Sequence, residues 1–493
     1  MPCKKHSGLA HDRRAYYYSN CAKPIPPIPI PTPNQCSLLP RETPYQLCSP
    51  FPQIGGLDNL NSRYIPLIGS QTGNINVLQT LDISEITANS PPTIASDGTI
   101  YICINKRESG DPQGYIISFN SNGTIKWTYK LLGDDSFYGN GISLVPPTIG
   151  KNGILYIGSA LGYVYAINPD STVKWINQYK LLDIVGYIQA GLIIGTDDNI
   201  YFGLNGNSFT EGDLTSLLSI QSSDGTENWR YILEESISNI PVIPETVAID
   251  KYNNIYFAYE TTSASKRNYV VCLDKFGIKL WICDINNGNI GSMKLLSRPT
   301  LSVDNSRLYI LNNYRINEIS VSYYLNAINT NDGSIDNSQS ITISGSVGFA
   351  GGGTINSLAR DLNDNLYFSI NDISNNITIY SVNKGTINWL YIIPTPENNF
   401  NAILTSPSVC LDGTIYFGLF FFSLELIVNN YMYAINPNKT TKWVKLITKT
   451  STTTQPVIFS GFSINLQGNI ILPCINILNG TEQFSAITLY SIN

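Results

Sequence analysis

Cysteines and carboxylates are the residues of this 493-residue sequence that could do chemistry, because its two histidines, His6 and His11, both lie near the start. Nine cysteines are present. Four of them, spaced 18, 15 and 12 residues apart, are Cys3, Cys21, Cys36 and Cys48. None belongs to a C-x-x-C pair, which favours disulfides or crosslinks to other chains over a zinc site. Because nine is odd, at least one cysteine is free or joins another molecule.

The remaining five cysteines are isolated from one another: Cys103, Cys272, Cys283, Cys410 and Cys474. A single thiol within a strand usually acts as a small apolar core residue. Cys272 and Cys283 flank one turn, so a bond between them is an open alternative.

Several carboxylates stand directly before glycine, at Asp97, Asp224, Asp332 and Asp412. Asp-Gly is a turn sequence, so turn formation is favoured over catalysis at these positions. No pair of carboxylates is singled out for glycoside hydrolysis, although two of them could meet in the fold. General acid–base catalysis therefore has weak support, and the sequence predicts no catalytic, cofactor-binding or metal-binding residue.

The first 52 residues differ in composition from the rest. They contain eleven prolines, and six Lys or Arg against two Asp or Glu, a net charge of +4 that leaves −10 for the remainder. We predict an extended Cys/Pro-rich basic tail over 1–52 and a linker over 53–72. The basic tail could contact nucleic acid. For the remainder of the chain, the net negative charge disfavours nucleic acid as a partner. The sequence contains no apolar segment of signal-peptide or membrane-spanning length, so we expect a soluble protein that does not insert in membranes.

A repeated pattern fills the rest of the chain, and every tryptophan falls at the same point in it. These residues are Trp127, Trp175, Trp229, Trp281, Trp389 and Trp443. Their gaps of 48, 54, 52, 108 and 54 residues show that one copy lacks its tryptophan, a place we assign to Asp336 or Asn337.

Eight apolar strand cores recur with the same period: TIYI (99–102), ILYI (154–157), NIYF (199–202), NIYF (254–257), RLYI (307–310), NLYF (365–368), TIYF (414–417) and NIIL (469–472). Four short strands per unit of this length are typical of a propeller blade. We therefore predict an all-β, eight-bladed β-propeller over 73–493, with blades starting near 91, 146, 191, 245, 298, 354, 406 and 455.

The two ends of this repeat region complement each other. The sequence stops at LYSIN (489–493), the counterpart of a third strand, whereas 73–83 aligns with the outer strand of the first copy and has Val77 at the Trp127 position. We predict that 73–83 completes the last blade and closes the ring, which removes exposed sheet edges.

The segments AINPDSTVKW (166–175) and AINPNKTTKW (434–443) resemble the tryptophan-docking motif of quinoprotein-type, PQQ-like propellers over about residues 73–493. The resemblance implies eight blades, with the tryptophans docking neighbouring blades. Quinone-using members have an adjacent Cys-Cys pair and ligands for calcium. This sequence has no adjacent cysteines, which disfavours PQQ and calcium as cofactors.

A looser resemblance, carried by the Cys/Pro-rich tail and the Ile- and Asn-rich composition, is to virion proteins of large amoeba-infecting DNA viruses. It implies a structural role in an outer layer or fibril. We therefore expect a non-enzymatic virion protein, anchored or crosslinked through Cys3, Cys21, Cys36 or Cys48 to copies of itself or to other virion proteins. A quinoprotein-like dehydrogenase and a glycan-binding propeller are the alternatives. For binding, we favour the insertions 105–114, 209–213, 263–268 and 420–430.

Overall fold

A computed structural model of the chain is all-β. It describes residues 35–39, 43–82, 86–108, 111–132, 145–181, 184–206, 215–233, 241–261, 267–286, 288–289, 293–318, 320–346, 358–372, 376–393, 401–422, 429–449, 461–476 and 486–493. Gln35–Asn493 forms one compact unit. Within it, eight sheets are arranged in a ring, which confirms the predicted eight-bladed β-propeller.

The unit begins with a short 3-10 helix, Gln35–Leu38, and two strands, β1 (Tyr64–Ile65) and β2 (Ile75–Asp82). Blade 1 comprises β3 (Ile86–Asn89), β4 (Thr93–Ile94), β5 (Ile100–Glu108), β6 (Asp111–Phe119) and β7 (Ile125–Lys130). Blade 2 comprises β8 (Thr148–Ile149), β9 (Leu155–Gly158), β10 (Tyr163–Ile167) and β11 (Val173–Gln178), and is followed by a small ladder of β12 (Lys180–Leu181) and β13 (Ile184–Val185). Blade 3 comprises β14 (Ile193–Ile194), β15 (Asn199–Leu204), β16 (Ser216–Gln221) and β17 (Glu227–Ile232).

Blade 4 comprises β18 (Pro241–Val242), β19 (Ala248–Ile249), β20 (Ile255–Thr261), β21 (Asn268–Leu273) and β22 (Lys279–Asp284). Blade 5 comprises β23 (Met293–Leu295), β24 (Thr300–Leu301), β25 (Arg307–Arg315), β26 (Ser320–Asn329) and β27 (Ile341–Ser346). Blade 6 comprises β28 (Ala359–Arg360), β29 (Leu366–Asn371), β30 (Ile377–Asn383) and β31 (Thr386–Ile392). Blade 7 comprises β32 (Asn401–Leu404), β33 (Ser408–Cys410), β34 (Ile415–Phe422), β35 (Asn429–Ile435) and β36 (Thr441–Lys449). Blade 8 comprises β37 (Ser463–Ile464), β38 (Ile470–Asn476) and β39 (Ala486–Ile492).

Tight turns connect the innermost strand of each blade to the next strand, as the Asp-Gly and Asn-Gly sequences predict. In blade 1 the N–H of Gly98 donates to the carbonyl of Ala95, and Gly98 has φ +83°. The Oδ1 of Asp97 accepts the N–H of Thr99 at 2.8 Å. In three other turns a backbone N–H donates in the same way to a carboxylate oxygen, of Asp224, Asp332 or Asp412. These carboxylates therefore stabilise turns.

The ring is closed by β2, as predicted. β2 pairs antiparallel with β39, from Ile75 opposite Ile492 to Asp82 opposite Ala486, and so becomes the outer strand of blade 8. Thr80 and Thr488 face each other with their hydroxyl oxygens 3.1 Å apart. One hydrophobic cluster continues from blade 7 through blade 8 into blade 1. Closure thus leaves no seam without a packed core.

The predicted boundary between tail and propeller differs from the structure. Residues 43–72, assigned to the end of the tail and to the linker, are part of the compact unit and contact the blades. Residues 1–34 lie outside the described residues. No helix in the described part of the chain is long and apolar enough to cross a membrane.

Candidate functional site

The six tryptophans lie on outer strands at the seams between blades. In four seams the indole N–H donates to a carbonyl in a turn of the next blade, at 2.9 to 3.2 Å: Trp127 to Pro169, Trp175 to Ser222, Trp229 to Lys275 and Trp281 to Thr330. Each of the six also packs on a tyrosine of its own blade, with ring centroids 5.8 to 6.0 Å apart. The tryptophans therefore stabilise the ring.

Blade 5 lacks the tryptophan. The residue that takes the tryptophan's position at the seam is neither of the two that we predicted. The carbonyl of Asp336 accepts the N–H groups of Gln339 and Ser340, so the chain makes a tight turn there. The main chain of Gln339 lies against Gly385 in the next blade, and its Oε1 is 3.3 Å from the hydroxyl of Tyr309. Gln339, rather than Asp336 or Asn337, thus occupies the seam.

The most unusual feature is the path of residues 43–74, which we call the leading segment. It passes from blade to blade along the innermost strands. The carbonyls of Phe51, Pro52, Asn59, Leu60, Ser62 and Arg63 accept the N–H groups of Ile94, Ile149, Ile249, Leu301, Arg360 and Val409 respectively, at 2.8 to 3.2 Å. The side-chain amide of Asn59 donates to the carbonyl of Ile194 at 2.9 Å. The leading segment is therefore hydrogen-bonded to blades 1 to 7.

These bonds fall at equivalent positions of the inner strands, whose inward edges have no neighbouring strand from the same blade. A buried unpaired N–H destabilises a fold, so a segment that accepts these groups stabilises the centre of the ring. In blade 7 the contact becomes a parallel ladder, in which β1 pairs with β33. Asn61 and Arg63 adopt positive φ values of 56° and 48°, which allows the segment to turn between blades.

Arg63 extends its side chain from the leading segment into the interior and is 4% exposed. Its guanidinium donates to the carbonyls of Pro407 and Ile54 at 2.7 and 2.8 Å, and to the hydroxyl of Ser408 at 2.9 Å. All three acceptors are neutral. Burial and the nearby Arg298 lower the pKa of Arg63 to about 9. Because none of the ion pairs in the described part of the chain includes Arg63, its positive charge has no carboxylate partner there.

A second buried cation, Arg298, lies at the entrance to the inner strand of blade 5. Its Nε is 3.5 Å from Oε2 of Glu245, a long ion pair whose side chains are 4% and 9% exposed. Its Nη1 has no hydrogen-bond partner in the described structure. Burial raises the pKa of Glu245 to about 7, although Arg298 opposes the rise. The single carboxylate therefore compensates the two guanidinium groups incompletely.

Arg63, Glu245 and Arg298 line one cavity of about 330 Å³. Its walls come from the entrances to the inner strands of blades 1, 2, 3, 4, 5, 7 and 8, so the cavity lies on the axis of the ring. Ile54 and Phe462 contribute apolar surface. The size and the mixture of apolar walls with a few polar groups are typical of small-molecule sites.

The charges present do not fit the calcium ion of quinoprotein-type enzymes. Among the described residues Glu245 is the one acidic side chain that lines the cavity, and two guanidinium groups oppose a cation there. No cluster of three His, Cys, Asp or Glu side chains suitable for a metal occurs in the described part. Hard cations such as calcium prefer several oxygen ligands including carboxylates, and a single carboxylate beside two guanidinium groups suits them poorly.

Sequence reasoning missed the cavity residues, although a signal was present. Aligned on the inner strands, Arg298 stands where other copies have Pro91, Pro146, Gly191, Thr246, Ser406 and Gly461. Glu245 likewise stands where blades 1, 2, 3, 5 and 7 have Ser90, Val145, Ala190, Ser297 and Thr405. The two charged residues thus interrupt a pattern of small or apolar side chains.

Of the four tail cysteines, Cys36 and Cys48 are joined by a disulfide, with Cα atoms 4.8 Å apart. Cys3 and Cys21 lie outside the described residues. The five cysteines of the blades are buried thiols, so the alternative bond between Cys272 and Cys283 is not formed. The insertion 209–213 and parts of 105–114, 263–268 and 420–430 also fall outside the described residues.

No protein-family profile matches the sequence, and no curated protein is significantly similar to it. Solved structures do share the fold. A quinohemoprotein alcohol dehydrogenase from Pseudomonas putida superposes with a TM-score of 0.57 at 10% identity, covering 91% of this chain and 80% of that one. The Dos1 propeller gives a TM-score of 0.53 at 10% identity, covering 86% and 96%. At such identity the likeness shows the propeller fold alone.

Proposed function

We propose that this chain is a non-enzymatic scaffold, anchored through residues 1–34 to copies of itself or to other proteins in the outer layer of a virion. The observation that carries the proposal is the leading segment, whose hydrogen bonds reach seven blades. A pull on the N-terminal residues is thereby distributed over the ring. A flexible linker without such contacts would instead apply the load at its single point of attachment.

The distribution of thiols supports anchoring through the N-terminal residues. The five blade cysteines are buried, and burial raises the pKa of the Cys283 thiol to about 11, which disfavours the reactive thiolate. Cys36 and Cys48 bond to each other. Cys3 and Cys21 are therefore the cysteines that we assign to crosslinks between chains.

The test is a truncation of residues 1–34, compared with the full chain and with the variant C3S/C21S. This boundary retains the Cys36–Cys48 disulfide and the leading segment, whereas removal of 1–52 would delete ring contacts. We expect unchanged thermal unfolding, loss of disulfide-linked species on non-reducing gels, and loss of the protein from purified particles in mass-spectrometric inventories. Normal incorporation of the truncated chain would contradict the proposal.

The two alternatives predict different outcomes with the same proteins. A glycan-binding propeller would retain its signal on a glycan array after truncation, since the blades would carry the site. A quinoprotein-like dehydrogenase would reduce a dye when calcium and PQQ are added. The single carboxylate among the described residues of the axial cavity offers little support for the calcium that this second alternative needs.

A further inference from the structure

We propose that the axial cavity is a binding site for a small organic carboxylate. Two guanidinium groups, Arg63 and Arg298, line it with one carboxylate, Glu245. A buried cation without a counter-charge destabilises a fold, and an anion held between the arginines would remove that penalty. The inference is independent of the scaffold role.

The unpartnered polar atoms indicate where the ligand binds. Nη1 of Arg298 and Oγ1 of Thr246 both lack hydrogen-bond partners in the described residues, and both side chains line the cavity. Arg298 is 3% exposed and Thr246 2% exposed. A guanidinium N–H and a hydroxyl together match the oxygens of a carboxylate.

The walls indicate what the rest of the ligand is like. Ile54, Pro91, Val145 and Phe462 provide apolar surface beside the cationic groups. The cavity volume of about 330 Å³ corresponds to about ten water volumes, so a molecule of about ten non-hydrogen atoms fits. A carboxylate on a short carbon skeleton satisfies both the charge and the apolar walls, whereas inorganic phosphate satisfies the charge alone.

Arg63 gives this site its particular character. It belongs to the leading segment, and its three hydrogen bonds to neutral acceptors hold the guanidinium in place before any ligand arrives. Phe51 and Phe462 lie with ring centroids 5.5 and 6.0 Å from its Cζ. The leading segment therefore contributes a pre-positioned cation, and ligand binding and seating of that segment should stabilise each other.

The test uses the full chain and matched probes. Benzoate and hexanoate at millimolar concentration should raise the unfolding temperature and bind in calorimetry. Benzamide, which has the shape of benzoate without its charge, should not. Phosphate should bind at least tenfold more weakly than benzoate. No binding of either carboxylate, or equal binding of benzamide, would overturn the proposal. Tighter binding of phosphate would overturn its carbon-skeleton component.

Three variants separate ligand binding from structural damage. R298Q should weaken benzoate binding at least tenfold, because it removes a charged donor. E245Q should tighten binding severalfold, because it removes the competing internal carboxylate. T246V should weaken binding without lowering the unfolding temperature of the free protein, because it deletes an unpaired hydroxyl. R267Q, which removes an exposed arginine paired with Asp284 at 3.4 Å, is the control and should bind normally.

The opposite signs for R298Q and E245Q decide the result. A purely structural ion pair would give equal binding losses, or none, in both variants, and either result would overturn the site. Scaffold function is measured separately by particle incorporation, so failure of one proposal leaves the other standing.

Discussion

Trp443 donates its indole N–H to the carbonyl oxygen of Ser70 at 3.1 Å, and Tyr416 donates its hydroxyl to the same oxygen at 2.8 Å. In four other seams the tryptophan meets a turn of the following blade. Here the acceptor comes from the leading segment, just before β2 enters blade 8 as its outer strand. The repeated seam contact thus also fastens the segment that closes the ring.

This shared acceptor predicts non-additive effects on the free energy of unfolding. W443F or Y416F alone leaves the Ser70 carbonyl with one donor, so we expect the hydrogen-bond part of each loss to be about 1 kcal/mol. The double variant leaves that buried carbonyl unpaired and should lose at least about 1 kcal/mol more than the sum. Denaturant unfolding of all four proteins measures this. Simple additivity would show that the carbonyl finds another donor.

Two glycines with positive φ predict different losses of stability on substitution by alanine. Gly333 has φ +73°, and a Cβ there would lie 2.6 Å from the ring of Trp281. Gly288 has φ +78°, with nothing within 4 Å of its Cβ position. G288A should therefore destabilise by about 1 kcal/mol through backbone strain alone, and G333A by about 3 kcal/mol or more through strain and clash. Equal unfolding temperatures would contradict the tight Trp281 seam.

Glu245 predicts a dependence of stability on pH. In the folded chain its pKa is about 7, against an ordinary value of 4.5, because burial outweighs Arg298. At pH values between 4.5 and 7, Glu245 therefore binds more protons in the folded state than in the unfolded state. The stabilisation from this group is complete below about pH 4.5 and is lost as the pH rises through 7.

The variant E245Q isolates that effect. Relative to the original protein, it should gain about 3 kcal/mol as the pH is raised from 4.5 to above 7, because each pKa unit between these two values corresponds to about 1.4 kcal/mol. The difference in unfolding free energy, measured across this pH range, removes the contribution of other carboxylates. A constant difference would show that Glu245 stays ionised.

The Cys36–Cys48 disulfide closes a short loop at the start of the leading segment. Its loss through C36S/C48S should destabilise the seated segment by about 3 kcal/mol, an estimate from the chain entropy of such a loop. Limited proteolysis of residues 43–74 should speed up with reductant in the original protein. It should be fast and insensitive to reductant in the variant. Reductant-insensitive cleavage of the original protein would rule out this role.

The fold was predictable because its signals are local and repeated. Most blades have a Tyr-containing strand, an Asp-Gly or similar turn and a Trp strand, and each feature follows from short-range sequence. Closure was predictable because 73–83 matches an outer strand. The path of residues 43–72 was not predictable, because its partners, such as Val409 for Arg63, are distant in sequence and are bonded through the main chain.

The candidate site was hidden for a related reason. Glu245 and Arg298 come from different blades, and Arg63 comes from a segment predicted to be a linker. Periodic reasoning averages over the repeats and therefore overlooks residues that depart from them. A register alignment of the eight inner strands would have shown both charged positions, but not that Arg63 approaches them.

The route of the leading segment has a consequence for biosynthesis. Arg63 leaves the ribosome long before Val409, and β2 long before β39, so each contact forms only after its later partner has been made. The leading segment can therefore meet each inner strand in the order of synthesis, and the slow, long-range pairing of β2 with β39 comes last. A chain that ends before β39 can still pair β1 with β33, but it leaves β2 without its partner strand. Closure of the ring therefore requires synthesis through β39.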